Sequence, residues 1–392
     1  MTTARDPLAL PRVPAPAPDA YPWRDRIIAF AFVVGLAVPG LALIFTADRT
    51  TTRFENRPTT RWPSFTSPRG FAPAFERAFA DRFGGRDWLI RMHHAAVVTL
   101  FGASPVFNVM RGHDGWLYFL GEDGLSLDIA YRGVAQFPVG SLAATVTEFK
   151  RRHDWLAVRG IGYVVMVVPD KFTIYPEALP AWVQRSAAPS PFDIVAQSLA
   201  ADGRVQFIDL RAPLLAAKAR AQVYYKTDSH WNYNGALVAY AALVPQIAQA
   251  LPKGTNFVAA PAFRPRFDLG QDFYSGDLAY MLGLPRFFRE DDVAPLRKVL
   301  AEAPRRCAQR VDGDRVAGVE IYECAQGGLA RAVVLRDSMA IPLIPLLSEN
   351  FSRVVYVSDR KLDRALIERE RPDIVIEELV ERSLHAPGAL PM

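Results

Sequence analysis

The run "IGYVVMVVP" at residues 161–169 carries no charge and is dominated by Val, Ile, Met and Tyr. A half-exposed strand alternates polar and apolar residues, and this one does not, so it reads as a strand covered on both faces. Four similar runs follow: "VQFIDL" (205–210), "RAVVLRD" (331–337), "RVVYVSD" (353–359) and "DIVIEEL" (373–379). Helical spacing fills the intervals, as in "SLAATVTEFKRRHDWLAVRG" (141–160) and "NGALVAYAALVPQIAQAL" (234–251). Strand–helix alternation of this kind predicts an α/β domain, a parallel sheet with helices on both faces. There is no internal repeat, and residues 253–300 read as loop.

Composition agrees with a large packed core. Half of the 392 residues are hydrophobic and 22% are charged, which excludes wholesale disorder. The net charge of +5 is spread along the chain, with no Lys/Arg cluster interleaved with aromatics, so nucleic-acid binding is not expected. The two cysteines, Cys307 and Cys324, are too far apart for a CxxC unit and have no neighbouring His, so no metal site is expected. A glycine-rich phosphate loop is also missing, and no cofactor is expected.

The N-terminus sets the compartment. "IIAFAFVVGLAVPGLALIFTA", Ile27–Ala47, is an uncharged run long enough to cross a bilayer as a helix. The competing reading is a secretory signal peptide, whose apolar region is shorter and ends in a small-residue cleavage site. The sequence therefore predicts a Pro-rich cytoplasmic tail (1–26) and a retained transmembrane anchor (27–47). A tether with a membrane-proximal helical segment (48–100) and a catalytic domain in the periplasm (101–385) follow. In that oxidising compartment, turn chemistry at "VDGDRV" between β-leaning runs predicts a Cys307–Cys324 disulfide, with two buried free thiols as the alternative. His93 and His94 face different ways on a helix and read as surface residues. "VFNVMRGHDGWLYFL" (106–120) reads as two short strands around an Asp114-Gly115 turn, with His113 structural or solvated.

In an open parallel sheet, chemistry collects beyond the carboxyl ends of the strands. The run at 331–337 ends there in "RDSMAIPLIPLLSENF", which places Ser338 where a strand stops and a helix starts. A serine there can serve as nucleophile while its own N–H joins an oxyanion hole. A plain helix N-cap is the alternative. The stretch "YYKTDSHWNYNGALVAY" (224–240) supplies the rest. Asp228 and His230, two apart in an extended segment, point to one side, so the carboxylate can orient the imidazole that activates Ser338. The alternative is again capping of the helix that follows. Trp231 favours a shaped substrate pocket, and Lys171, in the loop closing the first strand, is a candidate to hold an acidic sugar.

"TDSHWNYNGA", the "DS" ending the 331–337 run, "VVPDKFTIYPEALP" and "SGDLAYMLGL" together resemble the alginate O-acetyltransferase (AlgJ/AlgX-type) SGNH-hydrolase-like family. "FENRP", "FADRFGGRDWLI" and "GWLYF" extend the likeness over most of residues 53–380. Arg336 departs from the pattern, standing where a glycine is usual. The resemblance implies a flavodoxin-like SGNH domain that acetylates hydroxyls of an exported polysaccharide. Asp228 and His230 match its Asp–His pair, and Ser338 matches its nucleophile. The short segment after Ser338 fits the AlgJ-type layout, without a C-terminal carbohydrate-binding module. A single anchor forms no channel for acetyl groups, so a multi-pass membrane-bound O-acyltransferase is the expected donor partner, as the resemblance also implies. A polysaccharide O-acetylesterase using the same three residues, and a non-catalytic scaffold or glycan-binding subunit of an export complex, are the alternatives.

Overall fold

In the computed structural model the first four strands are β1 (Val109–Arg111), β2 (Leu117–Phe119), β3 (Gly162–Val168) and β4 (Gln206–Asp209). Next come β5 (Phe273–Tyr274), β6 (Glu290–Asp291), β7 (Cys307–Arg310) and β8 (Val319–Cys324). The last three are β9 (Arg331–Leu335), β10 (Arg353–Val357) and β11 (Ile374–Val380). The structure describes residues 22–45, 58–64, 70–83, 85–122, 126–133, 140–258, 273–291, 307–310, 318–324 and 328–385.

Seven strands form the main sheet in the order β4-β3-β11-β9-β10-β8-β7. The five runs expected as strands are its five parallel members. Their side chains alternate between two cores, which is why the sequence shows no polar phase. On β3, Val164, Met166 and Val168 enter one core, while Tyr163, Val165 and Val167 enter the other. The helix Tyr233–Ala250 covers the first face through Ala236, Ala239, Leu243 and Ile247. Helices Ser141–Ala157 and Pro191–Asp202 cover the second through Phe149, Leu156, Phe192 and Leu199.

The sheet is mixed rather than purely parallel. β8 runs antiparallel to β10 and to β7, adding a hairpin at one edge. On β8 the charged Glu320 and Glu323 interrupt Val319, Ile321 and Tyr322, which are only partly buried against the two cores, so the strand lacks the unbroken apolar run that marks a central one. Cys307 stands directly opposite Cys324 in that hairpin, and a disulfide joins them.

A separate hairpin, β1–β2, forms around Asp114 and Gly115, both at positive φ (52° and 81°), as a tight type I′ turn requires. The segment read as loop contributes two short pieces, the β5–β6 pair and the helix Asp277–Met281.

The chain divides between Ile90 and Arg91 into two compact units, earlier than the boundary after residue 100 expected from sequence. The reason lies in the helix Arg86–Phe101: Val98 packs with Val109, Leu117 and Leu282, and the His94 ring hydrogen-bonds through Nδ1 to the Leu282 carbonyl at 2.7 Å. In the first unit, Phe71, Phe75 and Phe79 stack one helical turn apart. Also in that unit, Pro22–Phe45 is a 24-residue helix, which overlaps the expected anchor; Thr46 and Ala47 lie outside the described residues. Among the described residues no helix is long and apolar enough to cross a membrane.

Candidate active site

Two segments meet beyond the carboxyl edge of the parallel strands. The first is the loop between β4 and the helix Tyr233–Ala250. Asn232 caps that helix, its side chain accepting from the Gly235 N–H at 3.2 Å. Asp228 and Ser229 are therefore not needed as caps. The second segment follows β9. There Asp337, not Ser338, caps the 3-10 helix Ser338–Leu343, accepting from the Met339 N–H at 2.8 Å and from the Val380 N–H at 2.9 Å. The Asp337 N–H in turn donates to the buried Glu378 at 3.0 Å. The turn is thus pinned to the end of β11, and Ser338 is left exposed with its backbone N–H at the first turn of the helix.

The two segments bring Ser338, His230 and Asp228 into one line. His230 Nδ1 lies 2.6 Å from Asp228 Oδ1. A carboxylate only accepts, so Nδ1 carries the ring proton and Nε2 is left as an acceptor. The Ser338 hydroxyl then donates to Nε2 at 2.8 Å. Asp228 is itself held by further donors: the His230 backbone N–H at 2.9 Å, the Tyr274 hydroxyl at 2.5 Å and the Asp277 N–H at 3.1 Å. Burial pushes the Asp228 carboxyl up, but the hydrogen bonds and charge of His230, with Tyr274, outweigh it and hold the group well below the usual range. Burial lowers His230, and the bond and charge of Asp228 more than reverse this, leaving the imidazole more basic than usual. An open cleft of about 450 Å³ lies over Ser338, lined also by Arg336, Asp337, Ser358, Asp359 and Arg360.

Two residues expected to bind substrate are placed otherwise. Lys171 is buried, and its ammonium donates to the carbonyls of Leu117 (2.9 Å), Lys226 (3.3 Å) and Asp228. It has no free donor face to offer a sugar. Trp231 is buried as well and donates its indole N–H to the Met339 carbonyl at 2.8 Å. It is a strap between the two segments rather than a pocket wall. Arg336, the departure from the family pattern, lines the cleft and is held by an ion pair with Glu320 on β8.

Sequence reasoning missed Tyr274, Gly276 and Asp277 as members of the site. They lie in "YSGD", within a stretch marked only by its family likeness. Asp277 Oδ1 accepts from the Ser229 N–H at 2.7 Å, and Oδ2 accepts from the Ser229 hydroxyl. Asp228, His230 and Asp277 bring ligating atoms within 4.8 Å of one another. Each acid in that trio already accepts protein hydrogen bonds, so the arrangement is a hydrogen-bond relay and does not call for a cation.

A sheet-based α/β domain with polar groups gathered at the strands' carboxyl edge defines the class: an SGNH-hydrolase-like fold. Residues 109–310 match the family model described as the SGNH hydrolase-like domain, acetyltransferase AlgX, and the chain belongs to that family. The match spans just over half of the chain; it includes Asp228 and His230 and ends before Ser338. The chain is 26% identical over 225 residues to a probable alginate O-acetylase AlgJ of Azotobacter vinelandii, covering 56% of this chain and 53% of that protein. It is 32% identical over 146 residues to the AlgJ of Pseudomonas syringae pv. tomato, covering 37% and 34%. The chain thus spans about half the length of these relatives or less. The solved O-acetyltransferase domain of Pseudomonas putida AlgJ overlays with a TM-score of 0.43 at 19% identity, covering 71% of this chain and 92% of that one.

Proposed function

We propose that this protein is an O-acetyltransferase that moves acetyl groups onto hydroxyls of an exported or cell-envelope polysaccharide through an acetyl-serine intermediate. The observation that carries the reading is the line of hydrogen bonds from Ser338 through His230 to Asp228. Ser338 Oγ attacks the donor's carbonyl carbon as its proton passes to His230 Nε2, and the Ser338 N–H faces the developing oxyanion. Collapse breaks the bond to the leaving group, which takes the proton from His230. A sugar hydroxyl then gives its proton to the same nitrogen, attacks the acetyl-serine and restores Ser338.

Family membership and the relatives named as alginate O-acetylases support a polysaccharide acceptor. The apolar run 27–47 supports a single anchor in the inner membrane with the domain on the periplasmic side. Such a domain has no route to cytoplasmic acyl donors, and a multi-pass membrane-bound O-acyltransferase is the partner we assign to deliver them.

The test is to incubate the full-length chain in detergent with an activated acetyl ester and map acetylation by mass spectrometry. Acetyl on Ser338, lost in Ser338→Ala and in His230→Ala, is the expected result. Equal turnover in Ser338→Ala would remove the assignment.

A further inference from the structure

We propose that Lys171 is a positioning residue for this site, fixing the loop that carries Asp228 and His230 at the height of Ser338. The inference rests on the acyl-transfer reading above and adds a part to it.

The loop at 226–230 lies outside the main sheet. The Leu117 N–H donates to its Lys226 carbonyl at 2.8 Å and the Ala279 N–H to its Thr227 carbonyl at 3.2 Å, and charged side chains meet much of the rest of its backbone. On one side, Glu290 accepts from the N–H groups of Lys226 and Thr227, both at 2.8 Å, and Asp277 accepts from that of Ser229. On the other side, the carbonyls of Lys226 and Asp228 turn inward to Lys171, together with the carbonyl of Leu117 from β2. Lys171 opens the short helix Lys171–Ile174 three residues after the end of β3, the strand buried on both faces, so its backbone is anchored next to the rigid part of the fold. Its ammonium also lies near the rings of Trp116 (5.6 Å) and Tyr118 (5.7 Å). Three carbonyl dipoles converging on one point repel one another unless a cation sits there. Without the ammonium the loop must open, and the carbonyl that moves belongs to Asp228 itself.

The same geometry gives the role a pH signature. The charged groups facing Lys171 are Asp228, Asp277 and Glu290, and the Lys226 ammonium also lies near the Trp116 ring, at 5.9 Å. Burial brings the Lys171 ammonium down to about 8, against the pull of those carboxylates. Above that value the neutral amine has two N–H groups for three carbonyls.

The experiment follows acylation of the full-length chain by an activated acetyl ester, comparing wild type with Lys171→Met. The expected result is a fall in kcat of ~100-fold with KM unchanged, the order of loss that a misplaced catalytic group produces. The wild type should also lose rate above about pH 8, and the variant should lack that limb. Wild-type kcat in Lys171→Met, or an alkaline limb that survives in it, overturns the proposal. Should Lys171→Met fail to fold by circular dichroism, Lys171→Gln takes its place. If that also fails, the wild-type profile decides, and a rate flat from about pH 7 to 10 overturns the proposal. Ser338→Ala in the same assay keeps the two ideas apart: activity there rejects the nucleophile, whereas an inert Ser338→Ala beside an unimpaired Lys171→Met rejects only the lysine's role.

Discussion

Trp231 and Met339 join the two halves of the site, the buried indole N–H donating to the Met339 carbonyl at 2.8 Å. Each residue directly follows a member of the reacting line, His230 and Ser338. Trp231→Phe keeps an aromatic ring in the core but leaves that carbonyl without its donor, at a cost of about 1–3 kcal/mol. The expected outcome is lower stability in urea unfolding together with a drop in Ser338 acylation of ~10-fold or more, because small misplacements between nucleophile and base are expensive. Reduced stability with an unaltered acylation rate would show that the strap does not set the His230–Ser338 distance.

Gly276 makes a sharper test of how Asp228 is held. Its backbone is extended (φ −83°, ψ 177°), which any residue adopts, so the glycine is required by space rather than by conformation. A Cβ there would stand 2.3 Å from Asp228 Cβ and 2.5 Å from its Cα. Neither atom is a flexible side-chain end. Gly276→Ala must push the two segments apart, costing about 1–3 kcal/mol as overpacking does. It should also weaken the bonds from Tyr274 and Asp277 to Asp228. The measurement is thermal unfolding alongside ester acylation, with both expected to fall. A Gly276→Ala protein as active as wild type would mean that this contact is slack in solution.

The sheet was legible in the sequence wherever burial on both faces removed the polar phase, as in β3 and β11. At the β7–β8 edge the hairpin itself was legible from its turn chemistry, but its place in the main sheet was not, because "VEIYEC" mixes charges with apolar residues. The line Asp228–His230–Ser338 was legible as chemistry, because strand ends and a two-residue spacing are local features. Tyr274 and Asp277 were not, since 46 and 49 residues separate them from Asp228 and only the folded chain brings them together. Lys171 was misread for a related reason. Its place after a strand says exposed loop, whereas it opens the short helix Lys171–Ile174 and is buried by the packing of β2 and the 226–230 loop around it.

The electrostatics of the pair predict a pH profile. His230 is more basic than an ordinary imidazole, and the cause is Asp228 acting against burial. Acylation needs the neutral ring, so the rate should fall as pH drops through a value above the unperturbed histidine pKa of about 6.5. Asp228→Asn removes the carboxylate that raises the imidazole. Its acid limb should move to lower pH while the plateau rate falls by ~10⁴, the loss typical of an orienting acid. Profiles of acylation rate against pH for both proteins check this. An acid limb at the same pH in each would mean that His230 is not the base being titrated.

The disulfide should act on stability and not on chemistry. Cys307 and Cys324 close the β7–β8 hairpin at the outer edge of the sheet, and β10 stands between β8 and the strand that leads to Ser338. A cross-link over a sequence separation of 17 restricts the unfolded chain and is worth ~3 kcal/mol in the chain-entropy account. Reduction, or the double change Cys307→Ser with Cys324→Ser, should lower the melting temperature while leaving the acylation rate at room temperature near that of the oxidised protein. The serine double variant should then be indifferent to reductant. Thiol labelling of the denatured, unreduced chain supplies the direct check. No reactive thiol is expected before reduction and two after it, whereas two before reduction would mean that the hairpin edge is held by β pairing and packing alone.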